Sequence, residues 1–296
     1  MTEQYLAVCA MFRDEAPYLA EWIAFHQLVG VEHFYLYNNN SSDDYLAALV
    51  PFVDEGLVSL CDWPIPFHQR AQRKAYVHCL GEVRHKVRWL AFIDIDEFLF
   101  SPPNDLLSTA LQDFEHWPGV VVNWQTYGSS GKKKASGEPV IERFTRRAPA
   151  NWVRNRMVKS IVQPARTIKP AGVHHFDYAD NCLAVDENGN SVFYRRRSRF
   201  RKKLKPWFGK LGPILRHIDP YSATNISKKV VTVDTLRINH YPVKSLEEFR
   251  RKSLLKKEKQ RYESIDYFAY HDRNEVHDPV LMRVLPALKS RLMNLA

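Results

Sequence analysis

The sequence predicts an α/β fold with a mainly parallel central sheet flanked by helices. Three observations carry this. Through the first hundred residues, apolar runs of strand length alternate with amphipathic stretches of helical period. The intervening helices are long enough for right-handed βαβ crossovers. Each apolar run also exits into a polar cluster, and in such sheets ligands bind beyond the carboxyl ends of the strands.

The elements come in order. Tyr5 to Phe12 reads as the first strand, followed by Asp14 at a helix N-cap position, Pro17 in the first turn and Gly30 at the stop. Ala16, Leu19, Ala20, Ile23 and His26 recur between them at helical spacing. His33 to Tyr37 is a second strand, and its polar exit Asn38–Asp44 can cap a helix through Val53. Leu57 to Leu60 is a third, and Tyr76, Cys79, Leu80, Val83 and Val87 mark a helix face leading into the run WLAFIDIDEF at Trp89. Beyond Phe100 the pattern predicts a helix over Asp105–Phe114 and a strand over Val120–Trp124. A glycine-rich loop over Tyr127–Glu138 is flexible enough for a lid. A mixed region runs to Asp186 and a basic segment from Tyr194 to Lys210. A strand near Val231–Asn239, a helix from Leu246 to about Tyr262 and a last helix opened by Asp278-Pro279 complete the chain. No repeat or linker divides it, so one continuous domain over 1–296 is expected.

Composition narrows the function classes. With 45% hydrophobic and 12% aromatic residues in 296, the chain is globular rather than disordered or fibrous. A net charge of +10 favours anionic partners: nucleotides, nucleic acid, phospholipid head groups or acidic glycans. Cys9, Cys61, Cys79 and Cys182 form no CxxC pair, which argues against a zinc knuckle or a disulfide framework and for a reducing compartment. The start MTEQYLAVCAMF does not read as a secretory signal, and no apolar run approaches the ~20 residues that span a bilayer. The expectation is a cytoplasmic protein, soluble or peripheral at the inner face of the membrane.

The informative stretch is the acidic strand end. In an extended strand Asp94 and Asp96 share a face, and two such carboxylates can converge on one divalent cation. Hard oxygen donors suit Mg²⁺ or Mn²⁺, which bridges to phosphate oxygens. The alternative is that the acids solvate the strand end and cap the next helix. A dehalogenase-type phosphatase would carry its Asp-x-Asp after the first strand, with Thr or Val next, where this chain has Glu97-Phe98. The missing Gly and third spaced acid rule out an EF-hand.

The segments RDEAPYLAEWIAFHQLVGVEHFYLYNNNSSDD, QRKAYVHCLGEVRHKVRWLAFIDIDEFLF, NWQTYGSSG, MVKSIVQP and INHYPVKSLEEF occur in that order over most of the chain. Together they resemble the motif series of glycosyltransferase family 92 and its bacterial relatives in the glycosyl transferase family 2 group. The resemblance implies a GT-A (Rossmann-like) fold with a small additional antiparallel part. Residues 1–100 would be the nucleotide-binding half, 101–245 the acceptor-side half and 246–296 the C-terminal helices. It also implies a metal-dependent UDP-sugar donor, UDP-galactose in studied members, and inversion at the anomeric carbon.

The same resemblance assigns roles. Asp94 and Asp96 match the metal-binding motif, Asp96 as direct ligand of Mn²⁺ or Mg²⁺ and Asp94 nearer the ribose, with Glu97 orienting them. His240 matches a further metal ligand, and Lys244 would meet the diphosphate. Arg13 and Glu15 match the charged motif closing the first strand. Asn38, Asn40 and Asp43 match the uracil- and ribose-holding loop, although the family often has Asp where this chain has Asn38. Trp124, Gly128, Ser129, Ser130 and Gly131 would lie by the sugar. Inversion needs a general base, for which Glu142, His175 and Asp177 are candidates and Asp177 is preferred. Outside the resemblance each has a plainer reading: a polar contact for His240, a solvated lysine for Lys244, turn residues for the asparagines, a core tryptophan and a mobile loop. The Tyr194–Lys210 segment fits either a solvated helix face or peripheral contact with anionic membrane. Expected partners are a UDP-sugar and a glycan or lipid-linked acceptor, without nucleic acid. The rival readings are a nucleic-acid- or membrane-binding protein using the basic segment, and a metal-dependent phosphatase.

Overall fold

The structure, a computed structural model, describes residues 4–192, 231–255 and 265–295. The basic stretch Tyr194–Lys210 and the far end of the helix expected through Tyr262 lie outside the described residues.

Strand β1 (Gln4–Phe12) is followed by helix α1 (Ala16–Leu28), then β2 (His33–Asn38), α2 (Tyr45–Asp54), β3 (Val58–Asp62), α3 (Ala71–Val83) and β4 (Val87–Phe92). This is the expected βα succession. β1 pairs in parallel with both β2 and β4, and β2 with β3. Residues Leu6 to Ala10 of β1 are all fully buried because helices cover both faces of the sheet. Leu6, Val8 and Ala10 pack with Leu19, Trp22 and Ile23 of α1, while Ala7 and Cys9 share the opposite layer with Ala75, Tyr76 and Cys79 of α3.

The second half completes the sheet by insertion. β5 (Glu97–Phe100), α4 (Leu107–Leu111) and β6 (Gly119–Thr126) precede a short helix α5 (Val140–Arg143) and the two-residue β7 (Arg146–Arg147). β8 (Val158–Val162), β9 (Thr167–Pro170), β10 (Phe176–Tyr178) and β11 (Arg237–His240) come next. The last elements are α6 (Leu246–Leu255), α7 (Ile265–His271), β12 (Val276–His277) and α8 (Leu285–Met293). The eight-stranded sheet runs β3-β2-β1-β4-β8-β6-β11-β5, with β8 antiparallel to both neighbours and β11 parallel to β6. β9 with β10 and β7 with β12 form two small antiparallel ribbons. The mostly parallel sheet flanked by helices, with small antiparallel parts, is the GT-A-type architecture expected from the sequence.

Four expectations change in detail. Asp14 does not cap α1: it adopts φ 55°, and its carboxylate accepts the N–H of Ser42 at 2.7 Å. Asp43 takes the Ala16 N–H at 2.7 Å instead, so the loop after β2 caps the helix after β1. The run expected as one strand from Trp89 is two strands broken by a turn, closed by the Glu97 N–H on the Asp94 carbonyl at 3.0 Å. β5 then leaves for the far edge of the sheet, where it pairs with β11. The strand expected from Val231 begins only at Arg237, because the Glu187 carboxylate draws off the N–H groups of Asp234, Thr235 and Leu236 at 3.0, 2.8 and 2.9 Å.

The fourth concerns the loop read as a lid. Its leading half is tied to the segment after α7: the Ser129 N–H meets Asp272 Oδ1 at 2.6 Å and the Ser130 N–H meets Asn274 Oδ1 at 2.7 Å. The Ser130 hydroxyl accepts the N–H groups of Thr145 and Arg146 at 3.0 and 3.1 Å. Gly128 permits this approach, since a Cβ there would lie 2.5 Å from the Arg273 carbonyl oxygen.

Candidate active site

The sheet order reverses between β1 and β4, since α1 and β2 leave β1 on one side while β4 joins it on the other. Ligand crevices open at such switch points. Three strand exits meet here: Arg13–Glu15 after β1, Asn38–Asp44 after β2 and the Asp94–Glu97 turn after β4. The first two are laced together, as the Asn39 N–H meets the Phe12 carbonyl at 2.8 Å and the Asp14 N–H meets Ser41 Oγ at 3.0 Å. Asn38 is buried: its amide donates to Asp62 at 3.0 Å and its Oδ1 accepts the Ser41 N–H at 3.0 Å. Asn40 takes φ 56° at the exposed tip of the loop.

The acidic turn rests on two lysines. Lys159 Nζ, which rises from β8 and is fully buried, lies 2.8 Å from Asp94 Oδ2 and 3.6 Å from Glu97 Oε2. Gln72, in the first turn of α3, donates to Asp94 Oδ1 at 2.7 Å. Burial alone would raise the Asp94 carboxyl, but Lys159 outweighs it and the net direction is down. Glu97 has no exposed surface, so burial drives it well above the usual carboxylate range despite Lys159. Its Oε2 accepts the Asp94 N–H at 2.9 Å and fixes the turn.

Asp96 points to a different partner. Lys252 Nζ, from α6, bridges Asp96 Oδ2 at 3.2 Å and Glu15 Oε1 at 2.8 Å. These two acids drive Lys252 up against the opposing effect of burial. His240 ends β11, and its Nε2 lies 3.7 Å from Asp96 Oδ1. Burial lowers His240 to about 4, which keeps the imidazole neutral, and its buried Nδ1 has no hydrogen-bond partner. Trp124 packs against it with ring centroids 4.2 Å apart. The backbone joins the two elements as well, through the Tyr241 N–H on the Asp96 carbonyl at 2.8 Å.

Two carboxylates and one neutral imidazole match Mn²⁺ or Mg²⁺ in donor chemistry. Among the described residues, however, no three His, Cys, Asp or Glu side chains already stand around one cation position. The geometric reason is a division of partners: Asp94 faces Lys159, while Asp96 faces Lys252 and His240.

Other expected residues are distributed more widely. Lys244 takes φ 55° and is buried with its Nζ 4.1 Å from the centre of the Tyr18 ring; burial lowers it. Glu142 on α5 pairs with Lys289 of α8 at 2.7 Å. His175 is buried, and Asp177 is half-buried on β10 opposite Lys169. The neighbouring His174 is the member of HHFDY that faces the acidic turn: its Nδ1 meets the Val158 carbonyl at 2.8 Å and its ring lies 5.9 Å from Trp124. Burial and then Lys159 lower it to about 3.

Sequence reasoning missed Lys159, Lys252, Gln72 and His174. Lys159 stands within the MVKSIVQP motif, where a lysine inside a short apolar run was the available signal. Lys252 carried none beyond its place on an amphipathic helix.

Residues 4–233 match glycosyltransferase family 92. The chain belongs to glycosyltransferase family 92. A family 92 protein of Oryza sativa subsp. japonica is 32% identical over 187 residues, covering 61% of this chain and 31% of that relative. A family 92 protein of Ricinus communis is 30% identical over 188 residues, covering 61% and 33%. A galactan β-1,4-galactosyltransferase of Arabidopsis thaliana is 26% identical over 171 residues, covering 52% and 33%. This family 92 chain therefore spans about a third of the length of the relatives it matches. Among solved structures, S. aureus TarS 1–349 in complex with UDP is a remote likeness, with 13% identity, a TM-score of 0.37 and coverage of 55% and 47%.

Proposed function

We propose that this crevice binds the nucleoside diphosphate of a UDP-sugar and transfers a galactose-like hexose to a glycan or glycolipid acceptor with inversion. The carrying observation is the Asp96–His240 pair, where the turn after β4 meets the end of β11, with a neutral imidazole whose buried Nδ1 has no partner. Family membership and the galactosyltransferase name of one relative support the direction.

Asp96 and His240, joined by Asp94, would hold a divalent cation. Mn²⁺ or Mg²⁺ bound there supplies positive charge against the departing nucleoside diphosphate. Lys244 lies on the same side and adds a second cation for the diphosphate. The Asn38–Asp43 loop, fixed by its bonds to Asp14, Ala16 and Asp62, is preorganised to receive the uridine. Trp124 offers an aromatic face to the sugar. Asp177, preferred on sequence grounds over Glu142 and His175, is the carboxylate we assign to accept the acceptor's hydroxyl proton.

Calorimetric titration with UDP in the presence of Mn²⁺ tests the reading. Wild type is expected to bind and Asp96→Ala to lose that binding, while Asp180→Ala, on the loop after β10, keeps it. UDP binding of equal strength in Asp96→Ala would overturn the proposal.

A further inference from the structure

A group of aromatic side chains beyond His240 plays no part in the donor site. Trp152, ahead of β8, lies 5.5 Å from the Tyr270 ring and 5.9 Å from His271, both at the end of α7. His271 stacks on Tyr267 at 4.0 Å and meets Tyr270 at 4.8 Å. His271 is itself close enough to His240 for their charges to interact. The backbone links the two regions: the Tyr127 N–H meets the His240 carbonyl at 2.8 Å, and the Gly128–Ser129 stretch that follows seats against Arg273 and Asp272 just after α7.

Several features separate this surface from ordinary helix packing. Tyr270 is 44% exposed, and Trp152 and Tyr267 are half-buried, so much of the aromatic area stays in contact with water. Charged groups border it: the Arg154 guanidinium stands 5.7 Å from the Tyr270 ring centre, and that of Arg273, itself paired with Glu275, stands 5.6 Å from the Trp152 ring centre. A lipid tail would call for aliphatic walls instead. Flat rings edged by hydrogen-bond donors suit a ligand with apolar ring faces and hydroxyls around its rim. The surface is also held in place, because Asp272 and Asn274 just after α7 bind the backbone of Ser129 and Ser130, and Gly128 seats directly on Arg273.

We propose that Trp152 and Tyr270, backed by the Tyr267–His271 stack, form an acceptor subsite that takes the ring faces of a β-linked hexopyranose chain. The subsite's role in transfer rests on the donor reading above, with the acceptor end directed from Trp152 toward His240 and Asp96. Its ability to bind the chain does not.

Titration of the full chain with β-1,4-galactotetraose and with cellotetraose, followed by saturation-transfer NMR and calorimetry with and without UDP and Mn²⁺, tests this. Wild type is expected to bind at least one of them. Trp152→Ala and Tyr270→Ala are expected to weaken it about tenfold each, the scale of one lost aromatic contact. Tyr270→Phe should retain binding, and UDP affinity and the melting temperature should hold in Tyr270→Ala. Failure of wild type to bind either tetrasaccharide, or unchanged affinity in Tyr270→Ala, overturns the inference. Loss of UDP binding in wild type would sink the donor reading alone, since the tetrasaccharide titration without UDP still decides the subsite.

Discussion

Lys252 stands on the atoms that a cation at Asp96 would need. Its ammonium group bridges Asp96 and Glu15 at 3.2 and 2.8 Å, with side-chain exposures of 24%, 17% and 8% for the three residues. At an effective dielectric constant of ~20, the Asp96 contact alone amounts to about 5 kcal/mol of gross attraction. Desolvation of both ions offsets most of that. If about 1.4 kcal/mol survives as competition, Lys252→Met should bind Mn²⁺ about tenfold more tightly than wild type in the absence of nucleotide. The same substitution leaves Glu15 and Asp96 facing each other, so the variant should melt at a lower temperature without Mn²⁺ and recover when Mn²⁺ is added. Lys252→Arg, which keeps the charge, should resemble wild type. Calorimetry and Mn²⁺ electron paramagnetic resonance read the affinity, and scanning calorimetry reads the melting shift. Equal or weaker Mn²⁺ binding in Lys252→Met would refute the competition and make Lys252 part of the cation site's support.

Two further outcomes concern the scaffold. Glu248 is buried in a two-pronged pair with Arg143 at 2.9 and 3.0 Å and accepts the Ser245 N–H at 3.0 Å in a capping box for α6. Glu248→Ala strands a buried guanidinium and should cost about 3–5 kcal/mol in urea unfolding; a loss below about 1 kcal/mol would show that water reaches Arg143. Glu21, buried under α5, accepts the N–H groups of Val140 and Ile141 at 2.8 and 3.2 Å, and burial raises it from 4.5 to about 7. The folded state thus binds this proton more tightly than the unfolded chain. Its contribution is complete below pH 4.5 and is lost as pH rises through 7, a span of about 3 kcal/mol. Glu21→Gln should flatten the fall in unfolding free energy between pH 5 and 7, and an unaltered slope would remove Glu21 as its source.

The parallel half of the fold was legible because its signals are local. Apolar runs and helical spacing over Tyr5–Phe12, Ala16–His26 and His33–Tyr37 report burial on both faces of a sheet, and each run became β1, α1 or β2. The acidic turn was misjudged as extended because Ile93 and Ile95 continue the apolar pattern. Both are indeed buried, but as anchors of a turn that redirects the chain to the opposite sheet edge. Asp14 looked like a cap by position, whereas the side chain that fills the role comes from Asp43, 27 residues away from the N–H it accepts. Long-range partners of this kind have no signature in local spacing. The GSSG loop makes the same point: its composition is flexible in isolation, and only the folded chain supplies Asp272 and Asn274 to hold its leading half.

The placement of β8 explains how the site can carry so much negative charge. Glu15, Asp94, Asp96 and Glu97 crowd one end of the sheet, and carboxylates held this way repel unless cations share the burial. A purely parallel sheet would place another strand exit, and its polar loop, beside β4. The antiparallel β8 instead carries Lys159 through the interior to within 2.8 Å of Asp94, where the lysine is 1% exposed. Lys252 reaches Asp96 from the surface helix α6, with 24% of its side chain exposed. The two lysines therefore differ in kind: Lys159 is a fixed countercharge that sets the turn, and Lys252 can swing away at the cost of a partly solvated ion pair. A divalent cation held by Asp94, Asp96 and His240 would compete with Lys252 for Asp96, while Lys159 holds the Asp94 end of the turn in place.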